Sequence, residues 1–361
     1  MKIAQIAPLW MSVPPRTYGG AELVVHLLTE ELVRRGHQVT LFATGDSISS
    51  ARLHSVHPVS VTEAMAARHA YEYIHFANAI MADALAASAQ FDVIHSHLGC
   101  AYAPFSVASA APVLHTPHIA LSVDDQWVLQ HYPRTEVAAI SHFQADRIPD
   151  SARAHCRVIH HGIDFSSYEL QRQPEKHLLF LGRMGRQKSP VDAVRIAQLV
   201  DLPLVLAGNP ENDAERAYFT REVLPLVDGE RVSHVGAVGP AAKRMLLRSA
   251  AALLFPIRAD EAFGLAMIEA MACGTPVLAR RHSSTPEIVD EGVTGYLGAT
   301  NEEIAGHVGD ALRLDRAHVR ARAEERFSHL RMTDDYLRVY AALAAGHAMP
   351  QLLSADGRSP R

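Results

Sequence analysis

The residues best suited to chemistry lie in one short segment, DEAFGLAMIEAMACGTPVLA, at positions 260–279. Glu261 stands just before a Phe-Gly-Leu loop, and the pattern predicts a helix that starts at this loop and ends at Gly274. Free amides at a helix start bind anions, and Gly264 lets a ligand approach the main chain closely. Glu269 falls one turn into the helix, so the two carboxylates can flank one ligand. Carboxylates accept hydrogen bonds from hydroxyls, which suits ribose and sugar.

A second charged segment, LFLGRMGRQKSP, places Arg183 and Lys188 on a loop after a predicted strand. Two cations at this spacing can neutralise a diphosphate, and the arginine can bind it through two parallel hydrogen bonds. Isolated loop cations are usually solvated, so this assignment depends on the neighbouring motifs.

Strands and helices alternate along the chain, which indicates parallel α/β sheets. In the first half, strands are predicted at 2–8, 39–44, 91–97, 111–118, 136–141 and 157–164, and helices at 21–35 and 63–89. A polar stretch at 166–177 reads as a linker. In the second half, strands are predicted at 177–184, 202–208, 231–238, 251–256 and 276–280, and helices at 189–200, 213–227, 240–249 and 301–346.

Composition limits the class of protein. The 361 residues, 48% of them apolar and 20% charged, are enough for two domains with their own cores. The net charge of −5 does not signal a surface for nucleic acid or anionic lipid, and membrane attachment is not signalled. No apolar run approaches the ~20 residues of a membrane span, and no export signal is visible. The three cysteines are far apart, which fits a reducing, cytoplasmic setting.

A Glu pair alone would equally suit an ordinary amphipathic helix, but the whole string from Glu261 to Val277 resembles the family 4 retaining glycosyltransferases. Proteins of this family have the GT-B fold, α/β, with two Rossmann-like domains whose parallel sheets face a central cleft. The resemblance implies that Glu269 binds the ribose hydroxyls and that Glu261 binds the transferred sugar. The amides at Phe263, Gly264 and Leu265 would bind the sugar or phosphate.

Further motifs extend the resemblance over nearly the whole chain. By resemblance, Arg183 and Lys188 grip the diphosphate beside Gly182, and Ser189 departs from a frequent glycine. YGGAE is similar to the glycine-rich loop in which Gly19 and Gly20 approach the donor phosphates or the acceptor.

The remaining matches lie at strand ends and loops. HVGAV, with Val238, is similar to the loop that borders the nucleotide base, and VIHHGID resembles the strand-end motif with Gly162 and Asp164. PEIVDEGVTGYL resembles the stretch that closes the second domain. His282 stands before it where the family commonly has glycine.

The chain has 22 histidines, and several end predicted strands, where open α/β sheets bind ligands. His95 and His97 form a His-x-His pair, but no third metal ligand can be placed beside them. Most of the histidines are interpreted as structural or surface residues. His118 is the exception, because the resemblance implies contact with the donor sugar.

The resemblance implies a hexosyltransferase that uses a nucleotide diphosphate sugar, with uridine and glucose favoured, and needs no metal cofactor. The acceptor would be a hydroxyl of a saccharide, glycolipid or natural product, read by the loop from Trp10 to Tyr18. Residues 1–168 would form the acceptor domain and 174–332 the donor domain. The last helix, about 333–346, would pack back on the first domain, and 347–361 would be a flexible tail.

The motifs of two other enzyme classes are absent from the sequence. A G-x-G-x-x-G fingerprint followed by an acid is absent, which argues against a NAD-dependent dehydrogenase, and there is no P-loop. Two alternatives stay open: an inactive subunit that binds nucleotide sugars, and a GT-B sugar-nucleotide epimerase. Donor consumption separates a transferase from a binder, and an epimerase would leave the link between sugar and nucleotide intact.

Overall fold

Two parallel β-sheets organise the protein in this computed structural model, which describes residues 1–17 and 19–348. The strands are β1 Lys2–Ile6, β2 Gln38–Phe42, β3 Arg52–His54, β4 Val93–Ser96, β5 Val113–His115, β6 Glu136–Ala139, β7 Cys156–Val158, β8 Leu178–Leu181, β9 Leu204–Ala207, β10 Val232–His234, β11 Ala252–Phe255, β12 Val277–Arg280 and β13 Gly295–Gly298. We call the sheet β1–β7 with its helices the N-terminal lobe, and the sheet β8–β13 with its helices the C-terminal lobe.

Helices connect the strands and cover both faces of the sheets. They are α1 Gly20–Arg34, α2 Val61–Ala66, α3 Tyr73–Ala86, α4 Val123–His131, α5 His142–Ala145, α6 Pro190–Leu199, α7 Asp213–Tyr218, α8 Pro240–Ser249, α9 Leu265–Ala272, α10 Thr285–Ile288, α11 Asn301–Gly306, α12 Val308–Ala311, α13 Arg316–Phe327 and α14 His329–Ala348. Central strands such as β11 and β12 are buried along their whole length. Such continuous burial is typical of parallel strands covered by helices on both sides.

The strand order places a ligand crevice in each lobe. The order is β3-β2-β1-β4-β5-β6-β7 in the N-terminal lobe and β10-β9-β8-β11-β12-β13 in the C-terminal lobe. The direction of winding therefore reverses between β1 and β4, and again between β8 and β11. Open parallel sheets bind ligands beyond the carboxyl ends of the strands at such reversal points. In the C-terminal lobe, Gly182 follows β8 and the loop 256–264 follows β11, so both stand at that point.

The long helix α14 returns from the C-terminal lobe and packs in the core of the N-terminal lobe. Tyr336 and Tyr340 on this helix are fully buried there. The hydroxyl of Tyr340 accepts a hydrogen bond from Gln5 Nε2 at 2.9 Å and lies 2.6 Å from His95 Nδ1. The chain thus crosses between the lobes a second time, and the hydroxyl of Tyr340 joins the buried polar groups of β1 and β4.

Several predicted elements differ from the structure. The helix predicted at 63–89 is two helices, α2 and α3, because the chain between them turns through Arg68, whose φ is 58°. The helix predicted at 213–227 keeps its α form only to Tyr218 and then passes through wider and tighter turns near Pro225. Strands β3 and β13 were not predicted as strands, since both are short.

The polar stretch at 166–177, predicted as a linker, lies between the strands of the two lobes, and its Tyr168 is only 7% exposed and packs in the core of the C-terminal lobe. Among the described residues, no helix is both long enough and apolar enough to cross a membrane. The predicted tail at 347–361 lies outside the described residues from 349 onward.

Candidate active site

The site begins where the first residues of two helices from opposite lobes meet. Helix α1 starts at Gly20 and helix α9 starts at Leu265. A Cβ atom added to Gly20 would lie 3.0 Å from Leu265 Cδ1, so the two helix starts are in close contact across the cleft. Both ends carry free amides and a positive end of the helix dipole. The structure therefore brings the predicted loops around Gly19 and Gly264 to one place.

The start of α9 keeps its amides available. Gly264 has a φ of 87°, a left-handed conformation that favours glycine. No described residue accepts a hydrogen bond from the amides of Phe263, Gly264 and Leu265. The Phe263 ring itself is buried, with its centroid 5.1 Å from that of His161. The backbone at this loop is thus available to an anion, while the aromatic side chain anchors the loop.

Glu269 lies inward of this loop on α9 and is 4% exposed. Its Oε1 accepts hydrogen bonds from Tyr168 Oη at 2.9 Å and Lys243 Nζ at 2.5 Å. Its Oε2 has no partner in the part of the chain that the structure describes. Burial and the neighbouring carboxylate raise the pKa of Tyr168, so the phenol stays protonated and donates. One oxygen of Glu269 is therefore fixed, and the other remains available to a hydroxyl.

Tyr168 and Lys243 were missed by the sequence reasoning. Tyr168 lies near the start of the predicted linker, and Lys243 is on α8, 26 positions before Glu269. No motif connects these residues to the glutamate. Their only signals are an aromatic residue inside a polar stretch and a lysine in the first turn after the HVGAV loop.

Glu261 forms the second acid of the site and pairs with Lys188. The distance from Lys188 Nζ to Glu261 Oε2 is 2.5 Å, and both side chains are about one-fifth exposed. The stem of Lys188 passes close to Gly182, where an added Cβ would lie 3.9 Å from Lys188 Cγ. The structure thus brings together predicted residues of two separate motifs.

Arg183 is turned away from this pair. Its Nη1 lies 3.2 Å from Glu215 Oε1 and 3.3 Å from Glu211 Oε2, so its charge is matched within its own lobe. The side chain is 35% exposed, and Glu211 is exposed, so the pair with Glu211 is of the weak, solvent-screened kind. Val238 is partly buried against the core of the C-terminal lobe, beyond β10.

His118 forms part of a hydrogen-bonded row of histidines in the N-terminal lobe. Its Nε2 lies 2.9 Å from His97 Nδ1, and its Nδ1 lies 3.2 Å from His161 Nε2. His97 Nε2 lies 3.0 Å from Gln5 Oε1, which can only accept. With neutral imidazoles, His161 therefore donates to His118, His118 donates to His97, and His97 donates to Gln5. His161 Nδ1 then stays a buried acceptor, and no described residue pairs with it.

Burial controls the charge of this row. It lowers the pKa of His118 to about 4 and lowers the pKa of His97 and His161 well below the usual value, with neighbouring histidines adding to the effect for the latter two. The row is therefore neutral near pH 7, as the proton assignment requires. Both ring nitrogens of His118 are engaged, so a sugar hydroxyl could bind it only in exchange for one of these hydrogen bonds.

A further titratable group, Glu22, lies in the first turn of α1. The side chain is 5% exposed, and burial raises the pKa of its carboxyl group to about 7. Hydrogen bonds from its own amide and that of Met11 lower the pKa, but burial has the larger effect. A Cβ added to Gly19 would lie 3.0 Å from Glu22 Oε2, so this carboxyl adjoins the glycine turn. The motif YGGAE contains this glutamate, but its sequence did not indicate burial.

Other predicted motif residues have structural reasons in the fold. A Cβ on Gly162 would lie 2.4 Å from the carbonyl oxygen of Ser328. Glycine at this position therefore leaves room for the segment just before α14, where the chain crosses between the lobes. Asp164 Oδ1 and Oδ2 accept hydrogen bonds from Ser166 and Ser167 and cap a short turn. These residues shape the junction of the lobes.

The two departures from the family pattern lie at or beside residues with a left-handed conformation. Ser189 has a φ of 60°, which explains why glycine is frequent at this position. Near His282, the left-handed residue is Ser283, with a φ of 52°. His282 Nε2 lies 3.3 Å from Asp260 Oδ1, just before Glu261.

Comparisons with solved structures define the class of the fold. A crystal structure of AviGT4, a glycosyltransferase involved in avilamycin A biosynthesis, aligns with a TM-score of 0.72 and 25% identity over 96% of this chain and 98% of that chain. A structure of HepE from Anabaena aligns with a TM-score of 0.74 and 18% identity over 95% of this chain and all of that chain. The protein has the GT-B fold, and the predicted fold class is confirmed.

Sequence comparisons identify the family. The model of glycosyltransferase family 4 matches residues 18–167, and the model of glycosyl transferases group 1 matches residues 165–326. The chain belongs to glycosyltransferase family 4 and is a glycosyltransferase. A D-inositol 3-phosphate glycosyltransferase of Mycolicibacterium gilvum is 26% identical over 94% of this chain and 88% of its own length. A relative with the same name from Mycobacterium bovis matches at 27% identity, and the alignment spans 64% of its length.

Proposed function

We propose that the protein transfers a hexosyl group from a nucleotide diphosphate sugar to an acceptor hydroxyl, with retention at the anomeric carbon. The donor is a UDP-sugar, with glucose as the favoured hexose. One observation carries the proposal: Lys188 pairs with Glu261 just before the free amides that begin α9, and Glu269 lies one turn into that helix. This set combines positive charge for a diphosphate with carboxylates that can accept hydrogen bonds from the hydroxyls of the ribose and of the sugar.

The likeness to HepE supports the choice of donor. HepE was crystallised with UDP, with UDP and glucose, and with UDP-glucose. In this chain, Glu269 Oε2 would accept from the ribose hydroxyls, while Tyr168 and Lys243 hold Oε1. The loop that contains Val238 would border the base. Glu261 would bind the hydroxyls of the transferred sugar.

Departure of the nucleotide diphosphate is the step that needs most stabilisation. Negative charge grows on the bridging oxygen as the bond to the anomeric carbon breaks, and the carbon becomes oxocarbenium-like. Lys188 and the amides at 263–265 would stabilise that charge directly. Arg183 would exchange its exposed pair with Glu211 for the diphosphate and bind it through two hydrogen bonds. The acceptor proton would pass to a phosphate oxygen of the leaving group.

His118 would contact the transferred sugar from the N-terminal lobe. Its two hydrogen bonds to other histidines fix the ring, so the sugar would replace the 3.2 Å bond to His161, the longer of the two. The neutral ring suits this role because a cation there would oppose the growing positive charge on the sugar. Contact from the N-terminal lobe also links donor binding to closure of the cleft, which excludes water.

The acceptor would bind beside the loop from Trp10 to Tyr18. Trp10 is 44% exposed and stacks on Tyr73 with ring centroids 4.2 Å apart, and such a surface can hold the face of a sugar or another ring. Arg16 on the same loop is exposed. The similar proteins include a D-inositol 3-phosphate glycosyltransferase and a glycosyltransferase of avilamycin A biosynthesis, and we propose a saccharide, glycolipid or natural product as the acceptor.

No metal ion is assigned to the transfer reaction, since protein cations and helix amides provide the charge. We therefore expect donor turnover to be unchanged after the protein is treated with a chelator and transferred to metal-free buffer. A loss of turnover that Mg²⁺ or Mn²⁺ restores would contradict this assignment.

A thermal-shift screen with UDP-, GDP- and ADP-sugars tests the donor, because a ligand that binds only the native state raises the melting temperature. UDP-glucose is expected to give the largest shift, and prolonged incubation should release glucose and UDP without acceptor. Binding without release would favour an inactive subunit. Conversion of the sugar with the nucleotide link intact would favour an epimerase.

A further inference from the structure

Three side chains that commonly bind metal ions meet where the lobes adjoin. They are His142 at the start of α5, His160 just beyond β7 and Glu287 in α10. One ligand atom from each lies within 4.8 Å of the others. Two of these residues belong to the N-terminal lobe and one to the C-terminal lobe, and none belongs to the proposed donor site.

The distances suit a small transition-metal ion. His160 Nε2 lies 3.0 Å from Glu287 Oε2. Ligand atoms of a tetrahedral zinc ion, with bonds of about 2.0–2.1 Å, are about 3.3 Å apart, so this pair would need to move only slightly. The ring centroids of His142 and His160 are 5.9 Å apart. The His142 ring is exposed and makes no hydrogen bond within the described residues, so it can rotate to bind.

His160 is held in place by its surroundings. Its carbonyl oxygen accepts a hydrogen bond from Arg331 Nη2 at 2.7 Å. Its ring packs against both Phe263 and Phe327, with its centroid 5.9 Å from each of theirs. Because little side-chain freedom is left to lose, binding an ion through this ring has a small entropic cost.

Glu287 is fixed from both its main chain and its side chain. Arg326 donates to its carbonyl oxygen. Its carboxylate accepts from the amides of His142 at 2.8 Å and Phe143 at 3.1 Å. These bonds hold the carboxylate beside the two imidazoles and leave it oriented toward them.

The chemistry of the three ligands selects the kind of ion. Two imidazoles and one carboxylate suit Zn²⁺ and similar ions, with water in the fourth position. Mg²⁺ and Ca²⁺ prefer sites made of oxygen atoms, and this cluster offers one carboxylate. A simple hydrogen bond between the lobes would need only His160 and Glu287, whereas the cluster places a third ligand, His142, beside them.

We propose that His142, His160 and Glu287 form a binding site for a zinc-like transition-metal ion that joins the two lobes. The ion lies outside the donor site and takes no part in the transfer reaction. Its bonds to both lobes resist their separation. The metal therefore stabilises the observed arrangement of the two lobes.

Cobalt binding provides the direct test, because Co²⁺ gives visible absorption in a site of this geometry and Zn²⁺ displaces it. The protein carries no histidine tag and is stripped with a chelator first. We expect one Co²⁺ per chain, and a higher melting temperature with Zn²⁺ than without. His142→Ala removes a ligand whose ring has no hydrogen bond among the described residues, so the metal-free melting temperature should be unchanged.

His318→Ala is the matched control, since His318 is also exposed and lies on α13 away from the cluster. Loss of an outer-shell partner already weakens metal binding by about 10–100-fold, so loss of the His142 ligand should weaken it by about tenfold or more. The control should bind as the wild type does. Absence of stoichiometric binding, or equal binding by His142→Ala, would overturn the proposal and leave a hydrogen bond between the lobes. The shift in melting temperature with UDP is measured in a separate experiment. Its absence would contradict the donor proposal but not the metal proposal.

Discussion

Lys188 and Lys243 each pair with one of the two acids assigned to the donor. Lys188 contacts Glu261, and Lys243 contacts Glu269. The acids are therefore charge-balanced in the folded protein, and their free oxygens remain available to hydroxyls. A diphosphate competes with Glu261 for Lys188, whereas the ribose competes with nothing for Glu269 Oε2. The two lysines consequently have different expected roles.

Replacement of Lys188 tests the charge on the leaving group. Lys188→Ala should lower kcat/KM for donor hydrolysis or transfer by about 100-fold or more, because one lost donor to a developing anion costs about 2.7–4 kcal/mol of barrier. Lys176→Ala, at an exposed lysine outside the cleft, is the control and should be unaffected. A change within a few-fold for Lys188→Ala would mean that the proposed mechanism is wrong.

Replacement of Lys243 tests the positioning of Glu269. Lys243→Ala should raise KM for the donor by about tenfold with little change in kcat, because ribose contacts are made equally before and during the reaction. Arg248→Ala on the same helix, where the side chain pairs with Glu169, is the control. Steady-state kinetics with varied donor decide the matter. A fall in kcat at constant KM would contradict a role in binding the ribose.

At the scale of elements, the meeting of the α1 and α9 starts depends on glycine. Gly264 combines a left-handed conformation with close neighbours: an added Cβ would lie 2.7 Å from Met267 Cε and 3.1 Å from Phe255 Cζ. Gly36, after α1, has a similar φ of 84° with nothing within 4 Å of an added Cβ. Comparing substitutions at the two glycines therefore separates the cost of a left-handed conformation from the effects of crowding and of the donor-binding loop.

Gly264→Ala should lower the free energy of unfolding by about 1–3 kcal/mol through strain and crowding. It should also remove the thermal shift with UDP, because the amides of the loop move. Gly36→Ala should cost about 1 kcal/mol from conformation alone and keep the UDP shift. Denaturant unfolding with and without UDP measures both effects. An unchanged UDP shift in Gly264→Ala would show that this loop does not bind the phosphates.

The sequence predicted the long, regular elements better than the short ones. Helix α9 was predictable from its glycine at each end, and the alternating pattern was sufficient to predict two parallel sheets. Strand β13 has only four residues, two of them glycine, so no run of β-forming residues marks it. The contacts of Tyr168 and Lys243 with Glu269 join distant parts of the chain, and such contacts have no local signal.

At the scale of the whole molecule, the N-terminal lobe buries a set of neutral histidines. Burial lowers the pKa of each, to about 4 for His115 and His118 and well below the usual value for the other three, His95, His97 and His161. In the unfolded chain these groups titrate near 6.5. Unfolding below that pH therefore takes up protons, and the native state loses stability as the pH falls from 6.5 toward 4.

This argument predicts a steep loss of stability in mild acid. Between pH 6.5 and 5 the free energy of unfolding should fall by more than about 1.4 kcal/mol per pH unit, the value for uptake of one proton. Glu22 acts in the opposite direction, because its raised pKa of about 7 favours the native state as the pH falls to its unfolded value of 4.5, but it is a single group. Denaturant titrations over this range measure the slope. Stability that is flat or rises toward pH 5 would show that the histidines are charged in the native protein.

The two lobes act on one donor in this account, so the most direct test is a crystal structure of the protein with UDP-glucose. We predict diphosphate oxygens about 2.7–3.1 Å from Lys188 Nζ and from amides of the loop at 263–265, with Arg183 turned from Glu211 to the same group. The ribose hydroxyls should contact Glu269 Oε2. A nucleotide bound elsewhere, or Glu269 directed away from the ribose, would contradict the assignment of this cleft.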